Sequence, residues 1–583
     1  MMPFAACRWL CVRFQRYQGH LLRRHLSYYH LHPPAGPLLP MTIAEAVDRA
    51  AAAYGDNIAV TSCHQSLRKT YTQYQNDIDH VAASLVSLGL PVGSPIGIMM
   101  PNMYEWTLVQ FAAVKAGLLL VNINTAYKAA ELEHCLSNMN CHALILSDKF
   151  ARQDHYRMLL EIAPKLENST PGELKSSRLP LLKHVIAVSD NCVPGTHSYA
   201  QLLDSVTKEH RDKMHKICSQ MQFDTPINVQ FTSGTTGKIK GAVLSHFNVL
   251  NNAFTVGRLM GYDKQHDSIC LNVPMMHCFG CVLGTTCALL YGSTVVMPAA
   301  SFSGAAALKA VSEERCTTLY GTPTMFIDMI RKVDAPGTSH DLSSVTKGIM
   351  AGAQCPPEVL KGAMDKLNVK EMHIGYGSTE CSPIITFSDP SEPQEKWIHT
   401  VGKPVDHVEV KIVDKEDRIV PFNTRGELCA RGYLVFQGYY GDELKTRQAV
   451  RNNWYHTGDE ATMGEDGHVT ICGRLTDMII RGGENIYPQE IEEVLYTHSC
   501  VEEVQVCGVP DDRLGEEICA WVKVKGGKTL AEYDIKDFCN DRLSYFKVPK
   551  YVMFVDGFPK TISGKIQKFK MREESIRKLK LKK

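Results

Sequence analysis

Short aliphatic and β-branched runs alternate with longer amphipathic segments along most of the chain. Pro95–Met100, Leu118–Asn122, Ala143–Ser147, Ile227–Phe231, Ile269–Val273, Ser293–Met297, Thr317–Tyr320 and Val369–Ile374 are compact and apolar, the pattern of strands covered on both faces. Thr42–Tyr54, Tyr104–Lys115, Ala305–Arg315, Pro323–Lys332 and Pro357–Leu367 have helical length and periodicity. Strands separated by crossover helices predict a layered α/β architecture with largely parallel sheets. After Pro404 the texture changes to short strands punctuated by turn residues, such as Val408–Val413 and Gly426–Arg431. From about residue 475 a compact mixture of strands and helices predicts a small separate α+β domain. No internal repeat or low-complexity tract interrupts this order.

The stretch between Asp267 and Lys309 contains no Asp, Glu, Lys or Arg. Pro274, Gly280, Gly284, Gly292 and Pro298 divide it into pieces too short to span a bilayer, so a buried core beside a ligand tunnel fits better than a transmembrane segment. A chain of 583 residues is long enough for more than one domain, and its net charge of +1 gives no support to a nucleic-acid partner. The 20 cysteines follow no repeating frame, which favours a reducing compartment over a disulfide scaffold. Cys278-x-x-Cys281 has no second pair at ligand spacing, which leaves a zinc or redox role without support.

The N-terminus differs from the rest. No acid occurs before Glu45, while Arg8, Arg13, Arg16, Arg23 and Arg24 share one side of a projected helix opposite Leu10, Phe14, Leu21 and Leu22. An acid-free, Arg-rich amphipathic start looks like a mitochondrial transit peptide, with a disordered basic tail as the alternative. Pro33-Pro34-Ala35-Gly36-Pro37 makes a natural linker, and Met41 is a possible internal start. The expected division is therefore 1–40 for targeting and linker, 41–474 for a large N-terminal domain and 475–583 for a small, mobile C-terminal one, in the mitochondrial matrix.

The densest chemistry lies at Thr232-Ser233-Gly234-Thr235-Thr236-Gly237-Lys238-Ile239-Lys240-Gly241, directly after the apolar run ending at Phe231. Glycines let backbone N–H groups converge, hydroxyls add donors and lysines add charge, which suits a polyphosphate. The spacing is not that of a Walker loop, which needs four residues between its first glycine and Gly-Lys-Ser/Thr. A second cluster, Tyr376-Gly377-Ser378-Thr379-Glu380, sets a carboxylate beside a hydroxyl and a glycine at a strand's carboxyl end, a sensible magnesium and phosphate site. Tyr455–Asp459, Gly473–Ile480, Arg481–Pro488 and Pro559–Ile566 complete the series.

In this order the motifs resemble those of adenylate-forming enzymes: acyl-CoA synthetases, firefly luciferase and peptide-synthetase adenylation domains. The resemblance covers essentially everything after the presequence. It implies that residues Thr232 to Lys240 cradle ATP, that Glu380 and Thr235 hold Mg2+, that Thr379 touches the α-phosphate, and that Tyr376 with Gly352 and Ala353 lines the adenine. Asp459 would accept both ribose hydroxyls, Arg474 would contact the nucleotide at the domain junction, and Gly482 and Gly483 would line the path of coenzyme A. Lys565 would bridge the attacking carboxylate and the α-phosphate, where two anions must be brought together.

The implied activity is AMP-forming ligation of a fatty acid to coenzyme A through an acyl-adenylate, with His277 and the neutral segments 274–277, 321–323 and 351–353 forming the acyl pocket. No Arg or Lys stands among these residues to meet a second carboxylate, which favours a monocarboxylic acid. Arg481–Pro488 and Ile562–Lys570 look most like medium-chain ligases. A luciferase-type oxygenase, a carrier-protein ligase and a non-catalytic acyl- or nucleotide-binding protein stay open, as does peripheral contact with a membrane. Two departures from the family pattern stand out: Ile239 where proline is usual, and Thr476 where the hinge usually carries Asp or Lys.

Overall fold

The computed structural model describes residues 30–31, 36–151, 153–233, 239–333, 335, 339–353, 355–475, 477–481, 484–511, 513–543, 545–561 and 564–581, with residues 30, 31, 233, 484 and 485 described by backbone alone. Two large sheets dominate. In the eight-stranded sheet, His184–Val188, Ala143–Ser147, Pro95–Met99, Leu119–Asn122 and Pro226–Ser233 run parallel in that spatial order, followed by antiparallel Ile239–Ser245 and Gly438–Tyr439. In the nine-stranded sheet, Glu371–Gly377, Lys347–Ala351, Thr318–Gly321, Ser268–Leu271, Thr294–Met297 and Ile58–Ser62 run parallel between antiparallel edges.

Alternation along single strands explains the continuous apolar runs. Ile96, Ile98 and Leu120 face a core shared with Ile269, Leu271 and Val295 of the other sheet, and helices Tyr71–Ser87, Tyr104–Lys115 and His246–Leu259 fill the space between. Leu119, Val121, Leu144 and Leu146 face outward onto helices Ala129–Asn138 and His155–Ile162. Cys270, Val296 and Leu319 likewise face outward, onto Gly304–Glu314, Pro323–Val333 and Pro357–Lys366. The result is a helix–sheet–helix–sheet–helix stack. Its middle helix, Tyr104–Lys115, is buried on nearly every side, and its one buried cation is neutralised by Asp48 at 2.9 Å and Asp79 at 2.6 Å.

An antiparallel sheet of Val408–Val413, Gly426–Gly432, Trp454–Met463 and Val469–Arg474 follows. Beyond it, Ile479–Arg481, Glu484–Ile486, Val501–Asp511, Gly515–Val524 and Tyr551–Phe554 form a five-stranded sheet that shares a small core of its own with helices Pro488–Tyr496 and Glu532–Asn540. This small unit touches the large one through Tyr487, whose hydroxyl donates to Glu460 at 2.6 Å, and through the ion pairs Arg425–Glu490 and Arg331–Glu502.

Two elements differ from the sequence reading. Ile239–Ser245, for which the sequence predicts no element, is a strand paired antiparallel with Pro226–Ser233, and Ser245 then caps helix His246–Leu259. Its lysine and glycine content hid a β-segment whose inner positions, 241–245, are buried. The uncharged stretch contains a π-helix, Phe279–Thr286, continuing into Cys287–Tyr291. Gly280 is required there, since a Cβ would lie 2.3 Å from the Pro274 carbonyl oxygen. Among the described residues no helix is long and apolar enough to cross a membrane.

Candidate active site

The carboxyl ends of the nine-stranded sheet converge on one side of the large unit. Thr318–Gly321 delivers Thr322, Lys347–Ala351 delivers Gly352 and Ala353, and Glu371–Gly377 delivers Tyr376, then Thr379 and Glu380 in a following 3-10 turn. Gly352 has φ +85°, a conformation that favours glycine, and both it and Ala353 are solvent-exposed. Ligands of α/β sheets bind outside such strand ends.

The antiparallel sheet supplies the next pair. Asp459 and Arg474 face each other across neighbouring strands, with Arg474 Nε 3.3 Å from Asp459 Oδ1. The Tyr376 hydroxyl donates to Asp459 Oδ2 at 2.8 Å, which joins the two sheets at this point. Burial raises the Asp459 pKa, opposed by Arg474, Tyr376 and Lys565. Arg474 is held above the ordinary arginine value: burial works against its charge, but Asp459 and Asp477 outweigh it.

Lys565 enters from the small unit. A tight turn, in which Gly564 N–H donates to Thr561 O at 2.9 Å and Lys565 N–H donates to Thr561 Oγ1 at 3.0 Å, presents it. Gly564 has φ +82°, and an added Cβ would lie 3.0 Å from Thr324 Oγ1 and 3.2 Å from Thr322 Oγ1, so the turn is seated against the strand end at Gly321. Burial lowers the Lys565 pKa to about 8, with Arg474 pushing the same way and Asp459, Asp477 and Glu380 opposing. Burial, and then Lys565, holds the His277 imidazole at about 4, so it is neutral at physiological pH. Arg474, Asp459, Glu380, His277 and Lys565 thus share one electrostatic environment.

Glu380 is buried, with Oε1 accepting the Tyr439 hydroxyl at 2.8 Å. Lys240 Nζ lies 5.0 Å above the Tyr439 ring, linking the hydroxyl-rich segment to the acidic one. Thr232 and Ser233 pair in register with Lys240 and Ile239, so strands Pro226–Ser233 and Ile239–Ser245 form an antiparallel pair on either side of residues 234–238. Gly234, Thr235, Thr236, Gly237 and Lys238 lie outside the described residues, as do Gly482, Gly483 and Thr476. The buried Glu380 carboxylate offers two oxygens, of which Oε1 takes the Tyr439 hydroxyl. A hard divalent cation takes carboxylate oxygens, so this donor fits Mg2+.

Tyr439 escaped the sequence reading because a lone tyrosine carries no spacing signal. Cys278 and Cys281 are both buried, and the Cys278 thiol is held well above its usual pKa, first by its hydrogen bond with Cys281 and then by burial.

Residues 47–440 match the AMP-binding enzyme family, and residues 490–565 match the AMP-binding enzyme C-terminal domain. The chain belongs to the AMP-binding enzyme family. It is 43% identical over 546 residues to the mitochondrial medium-chain acyl-CoA ligase ACSF2 of Danio rerio, covering 93% of this chain and 90% of that one. The Homo sapiens protein of the same name is 44% identical over 550 residues, covering 93% and 88%. Among solved structures, the anthranilate CoA ligase AuaEII in complex with anthranoyl-AMP superposes with a TM-score of 0.80 at 25% identity, covering 92% of this chain and 98% of that one. In this AMP-binding enzyme the expected class holds: a large layered α/β unit and a smaller C-terminal α+β one.

Proposed function

We propose that this protein is an AMP-forming ligase that activates a medium-chain fatty acid with ATP and joins it to coenzyme A. The observation that carries the reading is the meeting of Lys565 from the small unit with Asp459, Arg474 and Glu380 from two sheets of the large one. The relatives above, which are acyl-CoA ligases at about two-fifths identity, favour thioester formation over a luciferase-type oxygenase or a binding protein without turnover. Residues 41–474 and 475–583 are taken as the two catalytic bodies.

In the first step the fatty carboxylate attacks the α-phosphorus of ATP, the bond to the bridging oxygen breaks, and pyrophosphate leaves with that electron pair. Asp459 holds the ribose, Tyr376 and the Gly352–Ala353 turn border the adenine, and Thr232 and Lys240 flank the phosphates. Glu380 and Thr235 are the residues that would hold Mg2+, which neutralises charge on the polyphosphate. Lys565 sits where attacking and attacked anions meet, and its positive charge lowers their repulsion most when they are closest. In the second step the coenzyme A thiolate adds to the acyl carbonyl, and AMP departs with the former carboxylate oxygen. Withdrawal of Lys565 by rotation of the small domain about Thr476 would make room for the thiol, with Gly482 and Gly483 facing the site.

His277, neutral and beside the aliphatic Met275 and Met276, suits the mouth of an apolar acyl pocket. A ladder of straight-chain acids tests the substrate class: turnover is expected to peak between hexanoate and dodecanoate, and a preference for malonate or for aromatic acids would refute the aliphatic reading.

We also place the protein in the mitochondrial matrix. The Arg-rich, acid-free start and the mitochondrial names of the relatives support this. Residues 1–44 fused to a fluorescent protein are expected to carry it into mitochondria, and a cytosolic distribution would contradict the assignment.

A further inference from the structure

Strands Gly426–Gly432 and Trp454–Met463 pair regularly except at one place. Cys429 faces His456 and Glu427 faces Glu460, so a single residue, Leu428, stands opposite three: Thr457, Gly458 and Asp459. This bulge takes Asp459 out of the pairing with Gly426–Gly432, while it stays paired with Arg474 on the other side and bonded to Tyr376. Its backbone needs φ +71° at Gly458, and its orphaned main-chain groups need partners. Thr457 Oγ1 donates to Leu428 O at 2.8 Å and accepts from Asp459 N–H at 3.1 Å, while Leu475 N–H donates to Gly458 O at 3.0 Å. The Gly458 N–H donates to Glu427 Oε1 at 3.0 Å.

We propose that Glu427 is a positioning residue for nucleotide recognition, its carboxylate holding the Gly458 N–H so that the bulge aims Asp459 at the ribose. The inference rests on the reading of Asp459 as the ribose acceptor. The other Glu427 oxygen faces the Arg451 guanidinium, with Nη2 at 3.5 Å, and lies 2.8 Å from His456 Nδ1, which leaves the first oxygen little freedom to swing away. With Cys429 these groups also have the spacing of a metal cluster. However, Arg451 Nη2 lies 2.7 Å from His456 Nδ1, so a guanidinium already occupies the place a cation would take.

Two conservative variants separate this role from a purely structural ion pair. Glu427→Gln keeps an oxygen at the right reach for the Gly458 N–H but gives up the charge facing Arg451. Glu427→Asp keeps the charge and draws the acceptor back by one methylene. The readout is the ratio of kcat/KM for ATP to kcat/KM for 2′-deoxy-ATP in acid-dependent pyrophosphate release, which a general loss of folded protein does not move. Glu427→Asp is expected to lower that ratio about tenfold, the worth of one charge-assisted hydrogen bond, and Glu427→Gln to lower it much less. Asp459→Ala is the control and should abolish the discrimination. If Glu427→Gln loses at least as much as Glu427→Asp, or if neither variant changes the ratio while Asp459→Ala does, the inference is overturned. A wild-type ratio in Asp459→Ala would instead overturn the ribose reading, and the inference with it.

Discussion

Lys565→Ala is expected to slow formation of the acyl-adenylate by about 10²- to 10³-fold, the usual cost of removing one preorganised charge-stabilising group. The same variant, supplied with synthetic acyl-adenylate and coenzyme A, should form thioester at a rate close to wild type, because Lys565 is assigned to the first step alone. Equal losses in both half-reactions would contradict the assignment. The lysine also predicts a pH signature. Its pKa, lowered by burial to about 8, means the free enzyme carries the ammonium below that value and loses it above. The bridging role needs the cation, so kcat/KM for ATP should fall with rising pH through about 8, by about tenfold per unit beyond it. Bound triphosphate favours the charged form, so kcat should hold to higher pH than kcat/KM.

Glu380→Gln is the second large effect. The substitution preserves shape and still offers Tyr439 an oxygen, but it removes the negative charge that a divalent cation requires. Adenylation should drop by about 10²-fold, and the Mg2+ concentration for half-maximal rate should rise, measured as pyrophosphate release across a magnesium titration. A variant with unchanged magnesium dependence would remove Glu380 from the metal site. Tyr439 and Lys240 tie that carboxylate to the Thr232–Lys240 segment, so the loss should reflect phosphate handling rather than acid binding.

Much of this arrangement was legible in the sequence, for physical reasons that differ by residue. The parallel strands showed because both faces are buried: Leu119, Leu120 and Val121 point alternately into two cores, and the run is apolar throughout. Helix Tyr104–Lys115 matched to the residue, but it is buried on nearly every side rather than amphipathic as the sequence reads. Asp459, Arg474, Glu380 and Lys565 stood out only through the order of motifs that resembles the adenylate-forming enzymes, since none of them is distinctive alone. What stayed hidden depends on register and on main-chain partners. Ile239–Ser245 reads as a polar exit from a loop until its pairing with Pro226–Ser233 is seen. The π-helix at Phe279–Thr286 holds Gly280 so near the Pro274 carbonyl oxygen that a Cβ would lie 2.3 Å from it, a main-chain approach that no spacing reports. Glu427 works through the backbone of a residue 31 positions away, and no spacing rule reports that.

A fatty carboxylate is expected to become an acyl-adenylate and then a coenzyme A thioester in this cleft. Octanoate labelled with 18O in both carboxyl oxygens tests it most directly, with ATP, Mg2+, coenzyme A and the full chain. The expected products are AMP carrying one 18O, unlabelled pyrophosphate and octanoyl-CoA retaining the other. Label in inorganic phosphate alongside ADP, or no AMP with any acid from acetate to palmitate, would contradict it.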